Sequence, residues 1–374
     1  MSEKRLTALA ASLPSTVPFV GPEAQERARG AAFEARLGAN ESVFGPSPRA
    51  IAAMAEAARA AWMYGDPEGH DLRHALAEHH GIRPEHIALG EGIDGLLGLI
   101  VRLTMEPGAV AVTSEGAYPT FNYPVAGYGG RLHTVPYRGD CEDPVALISA
   151  AQTQKARLIY WSNPDNPMGT WHNAGIVERT ISHVPEGCLL LLDEAYVDTA
   201  PMGTAPPLKP SNPRLIRFRT FSKAYGLAGI RLGYAIGPAP LIKAFDKVRN
   251  HFGVGRVSQA GALAALHDQA YLREVKQKIA WARAEIYRAA RENGLKALPS
   301  ATNFVTIDCG ADARFAQAVL AALLERGVFA RMPGVAPLNR CIRISCGGEK
   351  ELSFFAKVLP EALEAAHVAQ GAAS

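Results

Sequence analysis

The 374-residue chain lacks any apolar run near the ~18–20 residues that span a bilayer. Its longest runs, 96–101 (broken by Gly98) and 188–192, are far shorter, so a membrane protein is not expected. Excess charge of either sign is also missing. Lys plus Arg number 39 and Asp plus Glu 36, a net charge of +3, without the basic stripe of a nucleic-acid binder. Cysteine is scarce: Cys141, Cys188, Cys309, Cys341 and Cys346 make an odd set with no C-x-x-C spacing. Neither a zinc site nor a disulfide framework is expected, and a reducing, cytoplasmic setting follows. Lys4 and Arg5 precede a weakly apolar stretch, 6–13. A signal peptide needs a longer apolar core and a cleavage site, so export is not expected. There is no H-E-x-x-H. His70, His74, His79, His80 and His86 crowd one segment. His70 and His74 are spaced to share a helix face, but with no nearby cysteine the expectation is a solvated face and no metal.

What is present is a large core. Apolar residues make up 48% and charged residues 20%, the balance of a globular chain of about two domains. Gly (35) and Pro (26) run high, as tight loops require. Residues 1–44 read as an N-terminal arm rich in Pro, Ala and Ser with a short helix at 23–29. Residues 45–240 alternate between helical patterns and short apolar runs at 87–89, 110–113, 132–135, 158–161, 189–192, 215–219 and 232–236. The helical patterns include 48–62, 71–80, 95–104 and 145–154. That alternation predicts an α/β layer structure with a mostly parallel sheet. From 241 to 374 the texture changes to long helical patterns, 241–250, 258–267 and 271–293, with strands at 303–308 and 341–345. A smaller α+β domain is expected there.

Four stretches put polar chemistry at the ends of these apolar runs, where open α/β sheets bind ligands. The run Leu189-Leu190-Leu191-Leu192 ends in Asp193; alone, this is a ligand-facing carboxylate or a helix N-cap. Thr220-Phe221-Ser222-Lys223-Ala224-Tyr225-Gly226 follows another run, with Arg231 eight residues past Lys223. Hydroxyls and a guanidinium suit a phosphate, and a lysine beside it suits Schiff-base chemistry; alone, an ordinary basic loop fits as well. Asn163-Pro164-Asp165-Asn166-Pro167-Met168-Gly169 holds two turn-forcing Asn-Pro pairs and brings an amide to the same crevice. Gly90-Glu91-Gly92-Ile93-Asp94-Gly95 leads into a helix, whose N-terminus favours an anion.

In this order the four stretches resemble the fold-type I pyridoxal-phosphate aminotransferases, and most closely the histidinol-phosphate aminotransferase group. Leu37-Gly38-Ala39-Asn40-Glu41-Ser42-Val43-Phe44-Gly45-Pro46-Ser47-Pro48 resembles that group's start, and Tyr64-Gly65-Asp66-Pro67-Glu68-Gly69 its tyrosine segment. The resemblance runs from about Leu37 to Ser345. It implies an aspartate-aminotransferase-like large domain, pyridoxal 5'-phosphate as cofactor, and a homodimer with a shared active site. It implies that Lys223 bonds to the coenzyme and carries the proton, while Asp193 pairs with the pyridinium nitrogen. Asn166 and Tyr196 would donate to the coenzyme's phenolic oxygen, and Tyr118 would stack on its ring. Thr220, Ser222 and Arg231, with backbone N–H groups near Gly92, Ile93 and Asp94, would hold its phosphate; Tyr64 would reach that phosphate from the neighbouring subunit. Arg343 would pair with the substrate carboxylate, Asn40 and Asn303 would line the substrate pocket, and Arg331 would meet a substrate phosphate. The chain departs from the family pattern at Gly95, Met168, Met63 and Val43-Phe44.

Transamination between an amino donor and an oxo acceptor is the activity expected. Histidinol phosphate with 2-oxoglutarate is the leading pair, and aromatic amino acids come next. A pyridoxal-phosphate decarboxylase or β-lyase is the second class: it shares the lysine and differs in which Cα bond is oriented for cleavage. A coenzyme-binding regulator is the third. It would carry a DNA-binding module ahead of the resemblance, where ~36 residues stand, and it is not expected.

Overall fold

The structure is a computed structural model that describes residues 5–15 and 19–371. Lys4, and the parts of the arm and of the C-terminal segment at 1–4, 16–18 and 372–374, lie outside the described residues. Twelve strands occur among the described residues: β1 (Ala35–Arg36), β2 (Ile87–Gly90), β3 (Val110–Ser114), β4 (Arg131–Val135), β5 (Leu158–Ser162), β6 (Leu189–Asp193), β7 (Leu215–Thr220), β8 (Gly233–Ile236), β9 (Lys296–Ala297), β10 (Phe304–Asp308), β11 (Val328–Phe329) and β12 (Cys341–Ser345).

Seven of them form the main sheet in the order β2-β8-β7-β6-β5-β3-β4. The pairs among β3 to β7 are parallel, and β8 runs antiparallel to both β2 and β7. This is the mostly parallel sheet that the apolar runs predict. The four leucines of β6 show why such runs form its centre. Leu191 packs into the core under the helix Gly92–Thr104, while Leu190 and Leu192 pack on the other face with Leu147 and Val177. A strand covered on both faces has no solvent side, so its residues are continuously apolar.

A second, three-stranded antiparallel sheet, β12-β10-β9, and the parallel pair β1-β11 lie outside the main sheet. Their core joins Ala35 and Leu37 of the arm to Val275, Ile279 and Ile286 of the helix Gln269–Glu292 and to Phe355 and Leu359 of the helix Glu349–Gly371. Two segments differ from the sequence pattern. The helix expected over 48–62 stops at Ala58, and the chain winds on through i→i+3 bonds at Ala60, Ala61 and Met63, the tightening common at helix ends. The helix expected over 241–250 divides into Ala239–Ala244 and a 3-10 turn, Phe245–Lys247, as Phe245 turns inward to the core.

Candidate active site

The strand ends converge as the topology requires. β5, β6 and β7 deliver Asn163–Gly169, Asp193–Tyr196 and Thr220–Arg231 to one edge of the sheet, and Gly90 at the end of β2 leads straight into the helix Gly92–Thr104. Lys223 lies in the loop after β7. Its Nζ donates to the Asn40 carbonyl at 3.4 Å and stands 5.5 Å from the centre of the Tyr196 ring. The loop's shape depends on Gly226, at φ +69, where a Cβ would lie 2.3 Å from the Gly45 carbonyl oxygen. Only glycine allows that approach of two backbones.

Asp193 is buried at the end of β6. Tyr160 Oη donates to its Oδ2 at 2.7 Å, and the Ala195 N–H to its Oδ1 at 2.9 Å. Burial pushes this carboxyl up to about 6; the two hydrogen bonds oppose the rise, Asp94 adds to it, and the Lys223 charge opposes it. A buried carboxylate to which no cation is bonded among the described residues suits a ligand that brings a positive N–H. Tyr160 is missing from the sequence reading. It sits within an apolar strand, and only the pairing of β5 with β6 brings its hydroxyl to Asp193.

On the next side, Arg231 has a left-handed backbone (φ +51) and its Nη1 donates to the Ala228 carbonyl at 2.9 Å. Its Nη2 lies 3.8 Å from Asp94 Oδ2. Gly92, at φ +75, leaves the space beneath that guanidinium; a Cβ there would meet Nη2 at 2.6 Å. The Thr220 hydroxyl accepts from the Ser222 N–H at 3.0 Å and stands within donating distance of both Ser222 Oγ, at 2.9 Å, and the Leu232 carbonyl, at 3.3 Å. Ile93 and Asp94 continue the first turn of the helix, whose unpaired N–H groups favour an anion. Tyr118 Oη is 3.5 Å from Asp94 Oδ2, and burial pushes both acids up.

Two arginines face each other across an isolated antiparallel bridge, Arg331↔Arg343. The Arg343 guanidinium donates to Asn166 Oδ1 at 2.5 Å and to the Gly38 carbonyl at 3.1 Å, and it lies 5.2 Å from the Phe304 ring centre. Its Nε has no partner among the described residues, and burial pushes the group down to about 10. Arg331 donates to the Val20 carbonyl at 2.8 Å and rests near Phe19 and Phe329. Burial lowers it too. Among the described residues neither arginine has a carboxylate partner within ion-pair distance. Two desolvated cations without counter-charge are costly unless an anionic ligand completes them.

Asn40, buried and in the left-handed region at φ +56, links these parts. Its carbonyl accepts from Lys223 and, at 2.9 Å, from Asn303 Nδ2, while its own Nδ2 donates to Tyr196 Oη at 3.2 Å. Asn303 Oδ1 is buried without a partner among the described residues. Met168 is fully buried against Leu298, Leu338 and Cys341. Tyr64 is the one candidate set apart. Its ring lies 4.6 Å from that of Phe252, its carbonyl accepts from Arg256, and its side is open to solvent. A cleft of about 700 Å³ adjoins that region, bordered by Asp66, Gly69, Glu91, Asn250 and Gln259 rather than by Lys223 or Asp193. No group of three or more potential metal ligands occurs among the described residues, and no helix there is long and apolar enough to cross a membrane.

Residues 35–359 match the family model described as aminotransferase class I and II. The chain belongs to this family. The curated histidinol-phosphate aminotransferase of Moorella thermoacetica is 31% identical to this aminotransferase over 356 residues, covering 94% of this chain and 91% of that protein. The crystal structure of histidinol-phosphate aminotransferase from Sinorhizobium meliloti, in complex with pyridoxal-5'-phosphate, superposes with a TM-score of 0.94 at 55% identity. It covers 96% of this chain and 98% of that one. Aspartate aminotransferase from Thermus thermophilus shares the fold at a TM-score of 0.80 and 21% identity, covering 96% of this chain and 99% of that one. The large sheet and its helices are thus the aspartate-aminotransferase-like architecture that the sequence resemblance implies.

Proposed function

We propose that this aminotransferase transfers the amino group of histidinol phosphate to 2-oxoglutarate, with pyridoxal 5'-phosphate bound at Lys223. One observation carries the substrate: Arg331 and Arg343 stand side by side, desolvated and without carboxylate partners among the described residues. The pair suits a substrate phosphate at Arg331 and, in the second half-reaction, the acceptor's carboxylate at Arg343, where a planar fork pairs bidentately.

The residues present fit the coenzyme. Asp193 is a buried carboxylate that a pyridinium N–H would complete, and Gly92 leaves room beneath Arg231 for a phosphate cradle. Arg231, Ser222, Thr220 and the backbone N–H groups of Gly92, Ile93 and Asp94 would hold the phosphate. Tyr118 would cover the ring, and Asn166 and Tyr196 would face its phenolic oxygen. When bound, the coenzyme supplies an electron sink for the pair left at the substrate's Cα. Asp193 keeps the proton on the ring nitrogen. Lys223 Nζ would take the proton from the substrate's Cα and return it to the carbon on the coenzyme side of the shared nitrogen, acting as general base and then general acid. Asn40 and Asn303 border the substrate, and Asn166 fixes the Arg343 fork through their 2.5 Å bond.

The proposal includes a homodimer in which Tyr64 serves the partner's phosphate site, since its exposed ring has no role in its own. It includes a division of the chain near residue 240, with the site between the main sheet and the β10–β12 side. Free thiols, four of the five buried, suit the cytoplasm.

The decisive experiment is a donor screen that follows the loss of the coenzyme's imine absorbance. Histidinol phosphate should convert it, and an amino acid that releases CO2 instead would point to a decarboxylase. Borohydride reduction should fix the coenzyme to Lys223; labelling of another lysine defeats the assignment. Arg331→Ala should lower kcat/KM for histidinol phosphate roughly 10–100-fold, the worth of a hydrogen bond to a charged group. An aromatic amino acid should lose much less, and equal losses would remove the phosphate role.

A further inference from the structure

We infer that Ser345 is a positioning residue, which through Asn40 sets the direction in which the Tyr196 hydroxyl donates. The inference rests on the coenzyme reading above and concerns Ser345, which that reading leaves without a role. Ser345 ends β12 and is buried. Its hydroxyl makes a closed pair with Asn40: it accepts from the Asn40 N–H at 3.0 Å and donates to Asn40 Oδ1 at 3.0 Å. The Ser345 N–H is tied to the same segment, donating to the Leu37 carbonyl at 2.7 Å.

This pair does two things. It holds a non-glycine residue in the left-handed region, which asparagine tolerates better than most side chains. It also decides which way round the Asn40 amide lies. With Oδ1 taken up by the Ser345 hydroxyl, the NH2 end must face Tyr196 Oη, where it donates at 3.2 Å. A phenol that accepts at that position has its own hydrogen free to point elsewhere. The open direction is the ligand side, where Lys223 Nζ lies over the Tyr196 ring. Were the amide reversed, Oδ1 would draw the Tyr196 hydrogen to itself and away from the ligand. The Asn40 carbonyl, fixed by the same pair, keeps its bonds to Lys223 Nζ and Asn303 Nδ2. Hydroxyl, amide and phenol therefore form one chain with a single sense of donation, running from β12 to the loop after β6.

The test is a pH titration of the absorbance of the coenzyme bound to Lys223, in the holoenzyme. Ser345→Ala should raise the apparent pKa by about half to one unit, the equivalent of one neutral hydrogen bond lost to the phenolic oxygen. Its kcat should fall roughly 3–10-fold with KM little changed. Ser345→Thr keeps the hydroxyl and should restore both values. In an Asn40→Gly background, which retains the left-handed backbone and the carbonyl but has no amide, Ser345→Ala should add no further shift. An unchanged titration in Ser345→Ala, a full additive shift in the Asn40→Gly background, or a threonine variant as impaired as alanine would each overturn the inference. Absence of a titrating band from the wild-type holoenzyme would overturn the coenzyme reading itself, a distinguishable failure that removes this inference as well.

Discussion

At the scale of single residues, the site is built from groups held in protonation states that a ligand would complete. Asp193 shows the consequence for stability. Its folded pKa, about 6, is raised above the ordinary aspartate value of 3.8 by burial. The folded state therefore binds more protons than the unfolded state between these values. The stabilisation from this group is full below about pH 4 and is lost as the pH rises through about 6. Coenzyme-free Asp193→Asn should accordingly match wild type in thermal stability near pH 4 and exceed it at pH 8 by on the order of 1–3 kcal/mol. The same variant should bind the coenzyme more weakly. Melting curves of the coenzyme-free proteins at the two pH values check this, and a gap that does not widen with pH would refute it. Tyr160 belongs to the same account. Its hydroxyl was illegible in the sequence because a tyrosine inside an apolar strand reads as core; the 2.7 Å bond to Asp193 exists only once β5 pairs with β6.

At the scale of elements, the helix Gly92–Thr104 decides how the phosphate would be held. Its first residue is a left-handed glycine beneath Arg231. Gly92→Ala would introduce backbone strain of about 1–2 kcal/mol and push a flexible guanidinium aside. The expected result is a folded protein whose coenzyme Kd rises roughly 10-fold or more, measured by absorbance titration of the coenzyme-free form. An unchanged Kd would show that Arg231 and this turn do not form the cradle. Gly226→Ala meets backbone rather than side chain, at Gly45, and should prevent correct folding of the Lys223 loop. The central strands of the main sheet were legible because runs such as 189–192 and 158–161 are apolar without interruption, as doubly covered strands are. The ends of the helices over 48–62 and 241–250 were not. A helix's last turn is set by what its residues meet in the core, as the inward turn of Phe245 shows.

At the scale of the whole molecule, one surface remains unexplained by a single chain. Trp62, Met63, Tyr64 and Phe252 expose 83%, 39%, 76% and 48% of their surface close to the cleft at Asp66–Gly69. Contiguous exposed apolar groups of this kind mark an interaction surface. Sedimentation should give the mass of two 39.9-kDa chains. Trp62→Asp should yield monomers that lose bound coenzyme on dilution, because Tyr64 would no longer serve a partner. A monomer that keeps its coenzyme would refute the shared site. By itself the sequence determined the sheet, through uninterrupted apolar runs, and the candidate chemistry at the run ends, since a carboxylate, a lysine or an asparagine directly after a buried strand has few places to go. Tertiary structure alone decided which of these groups meet. Arg331 and Arg343 come from β11–β12 and Asn40 from the arm, more than 290 residues apart in the chain, and the Ser345–Asn40 pair forms only when β12 lies beside Leu37. Contacts between distant segments depend on packing of the whole core, and no local pattern of side chains encodes them.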